Sequence, residues 1–358
     1  MANQLPSEML ACQVVEYNQP YQVRTVPVPT KLGPHDLLVK IAVSSFCHTD
    51  TMVRSGVFRT KLPCTGSHEG AGTVVAVGPS VKDFQLGDRV LCPVVSYLCG
   101  ECTDCTGPET TRQYCGRQGG APGITRDGMF AEYVVADSHT AAPIPASISF
   151  ATAAPLACAG CTVWKGIIGA ALQPGDWLAI IGSGGGVGHL GIKFAKAMGL
   201  KVIGVDARDT GLELSHQAGA DLVVDARKPQ NELLEAIHSA TELGAHATLN
   251  VSDAESAATT ACLVTRKHGT VIQIAQPRTV SIPFQHIVFN DIRIHGSLMS
   301  SPQQLRDMLE FVARHNISVD TQQFHGLSEV STLLERVESG KLAGKAVVII
   351  DGSQVNVV

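Results

Sequence analysis

The sequence predicts an α/β protein with one β-rich domain and one doubly wound domain built on a parallel sheet. The first observation is length, because 358 residues exceed the usual size of one compact domain and favour two. The second is that short apolar runs, separated by glycine and proline, fill the chain up to about residue 155. The third is that apolar runs alternate with amphipathic segments from about residue 176 onward, which is typical of a parallel sheet covered on both faces.

The individual elements follow from these patterns in chain order. In the first part, the runs LLVKIAVSSF, GTVVAVG and FAEYVVAD predict strands. In the second part, WLAII, KVIGVDA, DLVVD, ATLNV, GTVIQIA and DIRIHGS predict strands, with helices between them that include NELLEAIHSAT and SAATTACLVTRK. After about residue 297, PQQLRDMLEFVARHN and LSEVSTLLERVESG predict amphipathic helices, and KAVVII predicts a final strand.

The composition describes a globular chain with a large core. Hydrophobic residues make up 44% and charged residues 16%, and the net charge of -5 comes with no basic run. We therefore expect no nucleic-acid partner and no membrane partner. The segment MANQLPSEML lacks the features of a secretory signal, and no run reaches the roughly 18 consecutive apolar residues of a membrane span. Together with 11 cysteines, these features favour reduced thiols and a cytoplasmic location.

A glycine-rich turn, GSGGGVG, separates the first strand of the alternating region from the helix that follows. Read as G-x-G-x-x-G, it puts Ser183 at the first position, Gly185 and Gly188 at the other two, and Gly186 and Val187 between them. The pyrophosphate of a dinucleotide binds such backbone amides and the N-terminus of the following helix. The alternative is a tight turn that binds no ligand.

An acidic residue favours NAD as the dinucleotide. Asp206 ends the next strand, about twenty residues after the turn, where a carboxylate can bind the ribose hydroxyls and repel the 2′-phosphate of NADP. Arg208 follows two residues later with the opposite charge, so NADP is disfavoured without being excluded.

Four closely spaced cysteines predict a structural zinc site. Cys99, Cys102 and Cys105 lie in the segment CGECTDC, and nine residues separate Cys105 from Cys115. Four thiolates complete the tetrahedral coordination of zinc and leave no position for a substrate. The acidic and hydroxyl residues of this loop argue against a nucleic-acid-binding zinc ribbon.

A second set of potential ligands is dispersed along the chain. Cys47, His68 and either Cys158 or Cys161 could form a zinc site with one open position. Alternatively, the cysteines are buried thiols and the histidine is a hydrogen-bonded core residue. Carboxylates orient histidine ligands, and a hydroxyl can accept the proton of an alcohol, so polar neighbours favour the metal site. These neighbours are Thr49, Asp50 and Glu69.

Together, the motifs give the chain a resemblance to the zinc-dependent medium-chain alcohol dehydrogenases, particularly the yeast and bacterial branch. The motifs that carry it, in matching order and at matching separations over nearly the whole chain, are CHTD, HEGAGTVVAVG, GDRV, CGECTDC, LACAGCTVWKG, GSGGGVG and the C-terminal GK. The resemblance implies a GroES-like catalytic domain formed by residues 1–157 and 297–358, and a Rossmann NAD-binding domain formed by residues 158–296. It also implies two zinc ions per chain and a homo-oligomer, with a tetramer favoured over a dimer.

The resemblance assigns roles to the residues of the dispersed site. Cys47, His68 and Cys158 match the catalytic zinc ligands, with Cys158 preferred to Cys161 because it begins the motif CAG. Glu69 matches a carboxylate that can approach the metal.

Four further residues receive roles in the same way. Thr49 matches the hydroxyl that takes the proton of the substrate alcohol, and Asp50 matches the partner that orients the ligating histidine. His48 and Lys345 match residues that contact the cofactor pyrophosphate.

The chain departs from the family pattern at several places. Met52 stands where many members have the histidine that ends the proton relay, and Ser67 replaces the glycine that commonly precedes the zinc histidine. Nine residues separate Cys105 from Cys115 where seven is usual, which predicts a bulged loop that still binds zinc. Val94 stands where yeast-type enzymes have a bulky aromatic residue, which predicts a substrate larger than ethanol.

The sequence therefore predicts a zinc-dependent alcohol dehydrogenase or aldehyde reductase acting on a small-molecule alcohol or aldehyde. One alternative is a zinc-independent NADPH quinone or enone reductase of the same superfamily, whose members typically lack the zinc ligands. The other is a non-catalytic zinc- and nucleotide-binding protein.

Overall fold

The computed structural model describes residues 5–355. The strands, in chain order, are β1 (Glu8–Val14), β2 (Gln22–Pro27), β3 (Asp36–Ser45), β4 (Cys64–Thr65), β5 (Glu69–Val77), β6 (Arg89–Cys92), β7 (Tyr133–Asp137), β8 (Ala142–Pro143), β9 (Trp177–Ile181), β10 (Lys201–Asp206), β11 (Leu222–Asp225), β12 (Ala245–Asn250), β13 (Thr265–Gln273), β14 (Arg293–Gly296), β15 (Thr321–His325) and β16 (Lys345–Ile349).

The α-helices are α1 (His48–Arg54), α2 (Thr103–Thr106), α3 (Phe150–Pro155), α4 (Cys161–Gly169), α5 (Gly186–Ala197), α6 (Asp209–Gln217), α7 (Gln230–Thr241), α8 (Ala257–Val264), α9 (Phe284–Asn290), α10 (Pro302–Arg314), α11 (Val330–Glu338) and α12 (Gly352–Val355). Glu109–Tyr114 and Leu327–Glu329 form 3-10 helical turns, and Leu156–Gly160 forms a π-helical turn between α3 and α4.

The chain divides into two compact units. Unit 1 contains the residues up to Cys158 and those from Ser300 onward, and unit 2 is Ala159–Met299. The predicted boundaries, 157/158 and 296/297, lie one and three residues from these positions. The C-terminal part belongs to unit 1 because β16 pairs with β3.

Unit 1 is built on a seven-stranded sheet in the order β15-β16-β3-β5-β6-β8, with β7 also paired to β3, and on a small sheet in the order β2-β1-β4. Almost every residue of β3 is buried, which explains its nearly continuous apolar sequence. The antiparallel pairing of β3 with β5 sets Ser45 opposite Glu69. This register brings the chain that follows β3, where Cys47 lies, beside the start of β5, where His68 and Glu69 lie.

Unit 2 is built on six parallel strands in the order β11-β10-β9-β12-β13-β14. This is the doubly wound order, in which the first strand, β9, lies in the middle and the direction of winding reverses between β9 and β12. Ligands of such sheets bind at the carboxyl ends of the strands beside this reversal. The glycine-rich turn follows the carboxyl end of β9.

One predicted helix ends earlier than expected, and the polar strand β15 lies outside the prediction. The segment SAATTACLVTRK is predicted as one helix, but α8 ends at Val264, and Thr265 already begins β13. β-Branched residues at this junction fit a strand better than a helix end. β15 is not predicted, because TQQFH has no apolar alternation, and it forms through parallel pairing with β16.

One helical run, Phe150–Gly169, is long and apolar enough to cross a membrane by length and composition alone, with a mean hydropathy of 1.2. However, 72% of its most apolar window is buried inside the protein. Packing within the fold therefore accounts for its apolar composition.

Candidate functional site

Cys47 lies in the turn between β3 and α1. The preceding residue, Phe46, donates its amide to the Ala346 carbonyl of β16 at 2.9 Å. Asp50, the third residue of α1, accepts the Cys47 amide on Oδ2 at 2.9 Å. A carboxylate at this position satisfies an amide that the helix leaves without a partner, so it also fixes where α1 begins.

Four potential metal ligands converge beside this turn. The donor atoms of Cys47, His68, Glu69 and Cys158 all lie within 4.8 Å of one another. Cys158 reaches the cluster from the π-helical turn, an element that is rare and frequently found at functional sites. Cys161 lies outside the cluster, in α4, and is buried. The structure thus brings together Cys158, and not Cys161, with the other ligands.

The donor set fits a zinc ion. Two thiolates and an imidazole are ligands of catalytic zinc sites, which keep one position open for water or substrate. Two thiolates also balance the charge of one divalent zinc ion.

The charges of the cluster favour a cation. Burial opposes the protonation of His68, but the hydrogen bond and charge of Cys47, with the charges of Asp50 and Glu69, outweigh it and raise the pKa of His68 to about 9. The hydrogen bond with Cys158 is the largest influence on Cys47, and together with His68 it lowers the pKa of the Cys47 thiol despite burial. A bound metal ion would take the place of the histidine proton.

Asp50 lies behind His68. Its Oδ1 is 3.9 Å from His68 Nδ1, and it accepts the Ser67 amide at 2.9 Å. Asp50 is fully buried, and burial raises its pKa to about 6. The carboxylate therefore faces the His68 ring from the side of Nδ1, at a distance longer than a hydrogen bond, and its role in orienting this histidine stays a prediction.

Lys345 pairs with Glu69, a role that the sequence does not predict. Lys345 Nζ lies 2.5 Å from Glu69 Oε2 and donates to the Phe46 carbonyl at 2.6 Å. Both side chains are buried, and burial raises the pKa of the Glu69 carboxyl although Lys345 lowers it. A buried lysine requires a carboxylate partner, but nothing in the sequence indicates which one. The pyrophosphate contact assigned to Lys345 stays a prediction.

Thr49 lies at the edge of the cluster. Its Oγ1 is 3.8 Å from Cys47 Sγ, and the residue is half-buried. His48 is exposed at the start of α1, and Met52, half-buried on the same helix, carries no ionisable group. Val94 is buried in the segment after β6.

The four cysteines of the predicted structural site form a second cluster. The Sγ atoms of Cys99 and Cys105 are 3.9 Å apart, those of Cys102 and Cys115 are 3.7 Å apart, and those of Cys99 and Cys115 are 3.6 Å apart. Zinc–sulfur bonds of about 2.3 Å put the sulfurs of a tetrahedral site about 3.8 Å apart. The four thiols therefore have the spacing that a zinc ion requires.

The nine-residue gap of this site folds into a 3-10 helical turn, Glu109–Tyr114. Glu109 at its start accepts the Ser301 hydroxyl at 2.5 Å and the Gln303 amide at 2.9 Å. Ser301 caps the N-terminus of α10. The longer loop therefore reaches α10 and adds a carboxylate to its N-terminus, where the helix dipole favours negative charge.

The glycine-rich turn permits close approach of the backbone. A Cβ added at Gly184 would lie 2.0 Å from the Gly211 carbonyl oxygen, and one added at Gly188 would lie 2.2 Å from the Gly182 carbonyl oxygen. Neither position can hold a side chain. Gly188 allows the close packing of α5 against the turn that the third position of the pattern requires, and Gly184, outside the three pattern positions, allows the close approach of α6.

The predicted cofactor residues of this turn differ in what they offer a ligand. Ser183 Oγ lies 2.7 Å from Ser215 Oγ, and the Ser183 amide donates to the Val205 carbonyl at 3.1 Å, so this residue shapes the turn. Gly185 is the N-cap of α5, and a Cβ added there would be in ordinary van der Waals contact with the Gly182 carbonyl oxygen, 3.4 Å away. The first turn of α5, with the amides available to a phosphate, consists of Gly186, Val187 and Gly188.

Asp206 ends β10 beside the same turn. Its Oδ2 accepts the Gly184 amide at 2.9 Å, and its Oδ1 accepts the Arg208 amide at 3.0 Å. The Arg208 Nε lies 3.3 Å from Oδ1, so the two predicted side chains form an ion pair. Asp206 therefore stabilises the glycine-rich turn in addition to its predicted contact with the ribose.

Comparisons with known proteins identify the family to which the chain belongs. Two family models match the chain, the alcohol dehydrogenase GroES-like domain over residues 33–146 and the zinc-binding dehydrogenase over residues 186–314. An alcohol dehydrogenase of Rhizobium meliloti (strain 1021) is 35% identical over 348 residues, covering 96% of this chain and 99% of that protein.

Solved structures show the same fold. The alcohol dehydrogenase of the archaeon Aeropyrum pernix has a TM-score of 0.86 at 28% identity, covering 95% of this chain and 99% of that chain. A Sinorhizobium meliloti 1021 protein solved with NADP has a TM-score of 0.85 at 27% identity, covering 96% of this chain and 100% of that chain. From the family models and the relative that matches over nearly its full length, we conclude that the chain belongs to the medium-chain zinc-binding alcohol dehydrogenases.

Proposed function

We propose that this chain oxidises alcohols, and reduces the corresponding carbonyls, with NAD as cofactor and a catalytic zinc held by Cys47, His68 and Cys158. The observation that carries the proposal is the convergence of these three residues with Glu69 within 4.8 Å. The family supports zinc and a nicotinamide cofactor. The ligand set, the number of zinc ions and the choice of NAD are our proposal.

The residues around this site have separate tasks in the reaction. Zinc, when bound, supplies a Lewis acid that polarises the oxygen of the substrate, and the cofactor carries the hydride. Thr49 accepts the proton of the alcohol at Oγ1 and, because a hydroxyl both accepts and donates, passes its own proton onward. Asp50 orients His68, and Lys345 neutralises Glu69, so the two thiolates supply the negative charge of the ligand set.

Val94 supports a substrate larger than ethanol. Valine is smaller than the aromatic side chain that yeast-type relatives place at this position, so we expect a wider pocket. A panel of small aliphatic, allylic, aromatic and bulky alcohols, followed by NADH absorbance, tests this expectation. A sharp preference for ethanol would contradict it.

Asp206 supports NAD over NADP. Its carboxylate would repel a 2′-phosphate, and the positive charge of Arg208 is already paired with it at 3.3 Å. A similar protein of Sinorhizobium meliloti was solved with NADP, so the preference of this chain needs a direct test. The dissociation constants of NAD and NADP provide that test. Tighter binding of NADP would overturn this part of the proposal.

Metal analysis of the wild-type protein and Cys47→Ala tests the central proposal. We expect two zinc ions per wild-type chain, and one in Cys47→Ala together with loss of alcohol oxidation and retained NAD binding. The cysteine cluster at Cys99 serves as the control, because the substitution leaves its four thiols in place. Undiminished turnover in Cys47→Ala would contradict the proposed catalytic zinc.

We further propose that the chain forms a homo-oligomer through α9. Phe284, Val288 and Phe289 on this helix are exposed by 70%, 67% and 76%. Three large apolar side chains on one short helix are seldom exposed together on a surface that contacts only water, because apolar surface in water is unfavourable. The adjoining strand β14 is an edge of its sheet, so a second copy of the chain can cover both elements in a twofold arrangement.

A further inference from the structure

Ser67 precedes the predicted zinc ligand His68 and has an unusual backbone conformation. It is fully buried, and its φ of 65° lies in the left-handed region that disfavours residues with a Cβ. Glycine, which commonly stands here in the family, adopts this conformation at no steric cost. The serine therefore carries backbone strain that glycine would avoid, so the contacts of its side chain are of interest.

The Ser67 hydroxyl links the end of β3 to the start of β5, the two strand ends beside which the proposed metal ligands lie. It donates to the Ser45 carbonyl at 2.8 Å, and it accepts the Ser44 hydroxyl at 2.8 Å and the Glu69 amide at 3.2 Å. One hydroxyl has one donor and two acceptor positions, so these three bonds use its full capacity. Ser44 and Ser45 belong to the end of β3, and Glu69 begins β5.

The backbone amide and carbonyl of Ser67 are also hydrogen-bonded. Its amide donates to Asp50 Oδ1 at 2.9 Å, and its carbonyl accepts the Met129 amide at 2.8 Å. Asp50 Oδ1 is also the atom that faces His68 Nδ1. The hydroxyl and the amide of Ser67 are thus bonded to the segments that place Cys47, His68 and Glu69, and its carbonyl is bonded to the segment that precedes β7.

We propose that the Ser67 hydroxyl, supported by Ser44, is a positioning device that holds His68 and Glu69 in register with Cys47 for zinc binding. The proposal rests on the proposed function, since it concerns the same metal site. Residues that hold metal ligands in place typically contribute about 10- to 100-fold to metal affinity.

Three variants separate the hydroxyl from the backbone. Ser67→Gly removes the hydroxyl and relieves the strain, Ser67→Ala removes the hydroxyl and keeps the strain, and Ser44→Ala removes one hydrogen-bond donor. Ser45→Ala is the matched control, because this fully buried hydroxyl of the same strand donates instead to the Ala346 carbonyl at 3.1 Å. Zinc release to the chelator 4-(2-pyridylazo)resorcinol is followed together with thermal unfolding.

We expect zinc to leave the site of Cys47 about 10-fold faster or more in both Ser67 variants. Release from the four-cysteine site should not change, and it serves as the internal reference. Thermal unfolding should separate the two variants, with Ser67→Gly more stable than Ser67→Ala because glycine tolerates the left-handed conformation. Ser44→Ala should show a smaller acceleration, and Ser45→Ala should lower stability without faster release.

Wild-type release kinetics in Ser67→Gly would overturn the inference and leave the proposed function standing. Wild-type protein that holds zinc only at the four-cysteine site would overturn both.

Discussion

At the scale of single residues, the pair of Lys345 and Glu69 is the most consequential contact of the site. Both charges are buried, and they lie 2.5 Å apart. Desolvation of two charges is costly, so such a pair adds little net stability by itself. Removal of one partner strongly destabilises the protein, because it leaves the other charge buried without compensation.

Replacement of Lys345 by methionine should therefore lower the free energy of unfolding by about 3–5 kcal/mol. The double variant Lys345→Met with Glu69→Gln should recover part of this loss, because it removes both charges. Denaturation by urea measures all three proteins, with Lys345→Arg as the variant that keeps the charge. A loss below about 1 kcal/mol, as found for exposed pairs, would contradict the buried-pair interpretation.

Met52 is a second residue with a testable consequence. It lies on the same helix as Thr49 and cannot accept a proton, so Met52→His adds an acceptor. The expected result is a higher rate of alcohol oxidation only above about pH 6.5, because imidazole accepts a proton only in its neutral form. The pH profile of kcat tests this, with Met52→Gln as a polar control that does not titrate. An equal gain in Met52→Gln would assign the effect to polarity.

At the scale of elements, the loop between Cys105 and Cys115 is tied to α10. Its two extra residues relative to the usual seven do not form a loose bulge, because the 3-10 helical turn orders them and Glu109 bonds the N-terminus of α10. Ser301 and Gln304 also form a capping box there. The start of α10 is thus stabilised by its own sequence and by the loop that carries the predicted structural site.

Glu109→Ala should lower the free energy of unfolding by about 1.5–3 kcal/mol, the range for hydrogen bonds to charged groups. Glu101→Ala, in the neighbouring segment between Cys99 and Cys102, is the control, because its ion pair with Arg117 is exposed and such pairs contribute about 0–1 kcal/mol. Chemical denaturation of both variants in the presence of zinc gives the comparison. Equal losses would show that the contact with α10 has no special weight.

At the scale of the whole molecule, the exposed apolar side chains of α9 are the basis of the proposed homo-oligomer. Leu243 is as exposed as Phe284, at 70%, but it is a single residue in the loop after α7. Isolated apolar residues are common on protein surfaces, whereas grouped ones indicate an interface. Leu243 therefore serves as the control residue for a substitution on α9.

Phe289→Glu should shift the protein towards smaller species, because a carboxylate in an apolar interface is buried without a partner. Leu243→Glu should leave the assembly unchanged. Light scattering after size-exclusion chromatography measures the mass of each. A wild-type protein that elutes as a monomer, or an unchanged mass in Phe289→Glu, would rule out association through α9.

The sequence by itself determines the features that depend on neighbours along the chain. Strand and helix periodicity, the glycine-rich turn with Asp206, and the four cysteines near residue 100 are all visible, because their spacing encodes their geometry. The dispersed ligand set is only a possibility from spacing, and its assignment comes from the family resemblance. Cys158 and Cys161 are equivalent by spacing alone, and the resemblance prefers Cys158, which is the one that the fold brings to the cluster.

Only the tertiary structure decides what the non-local contacts are. The register of β3 with β5 and β16 brings Ser67, Glu69 and Lys345 to the turn that carries Cys47. The π-helical turn selects Cys158, and the pairing with β16 makes a strand of the polar segment β15. These contacts join segments far apart in the chain, and the free energy that selects them comes from burial and hydrogen bonding that no local pattern records.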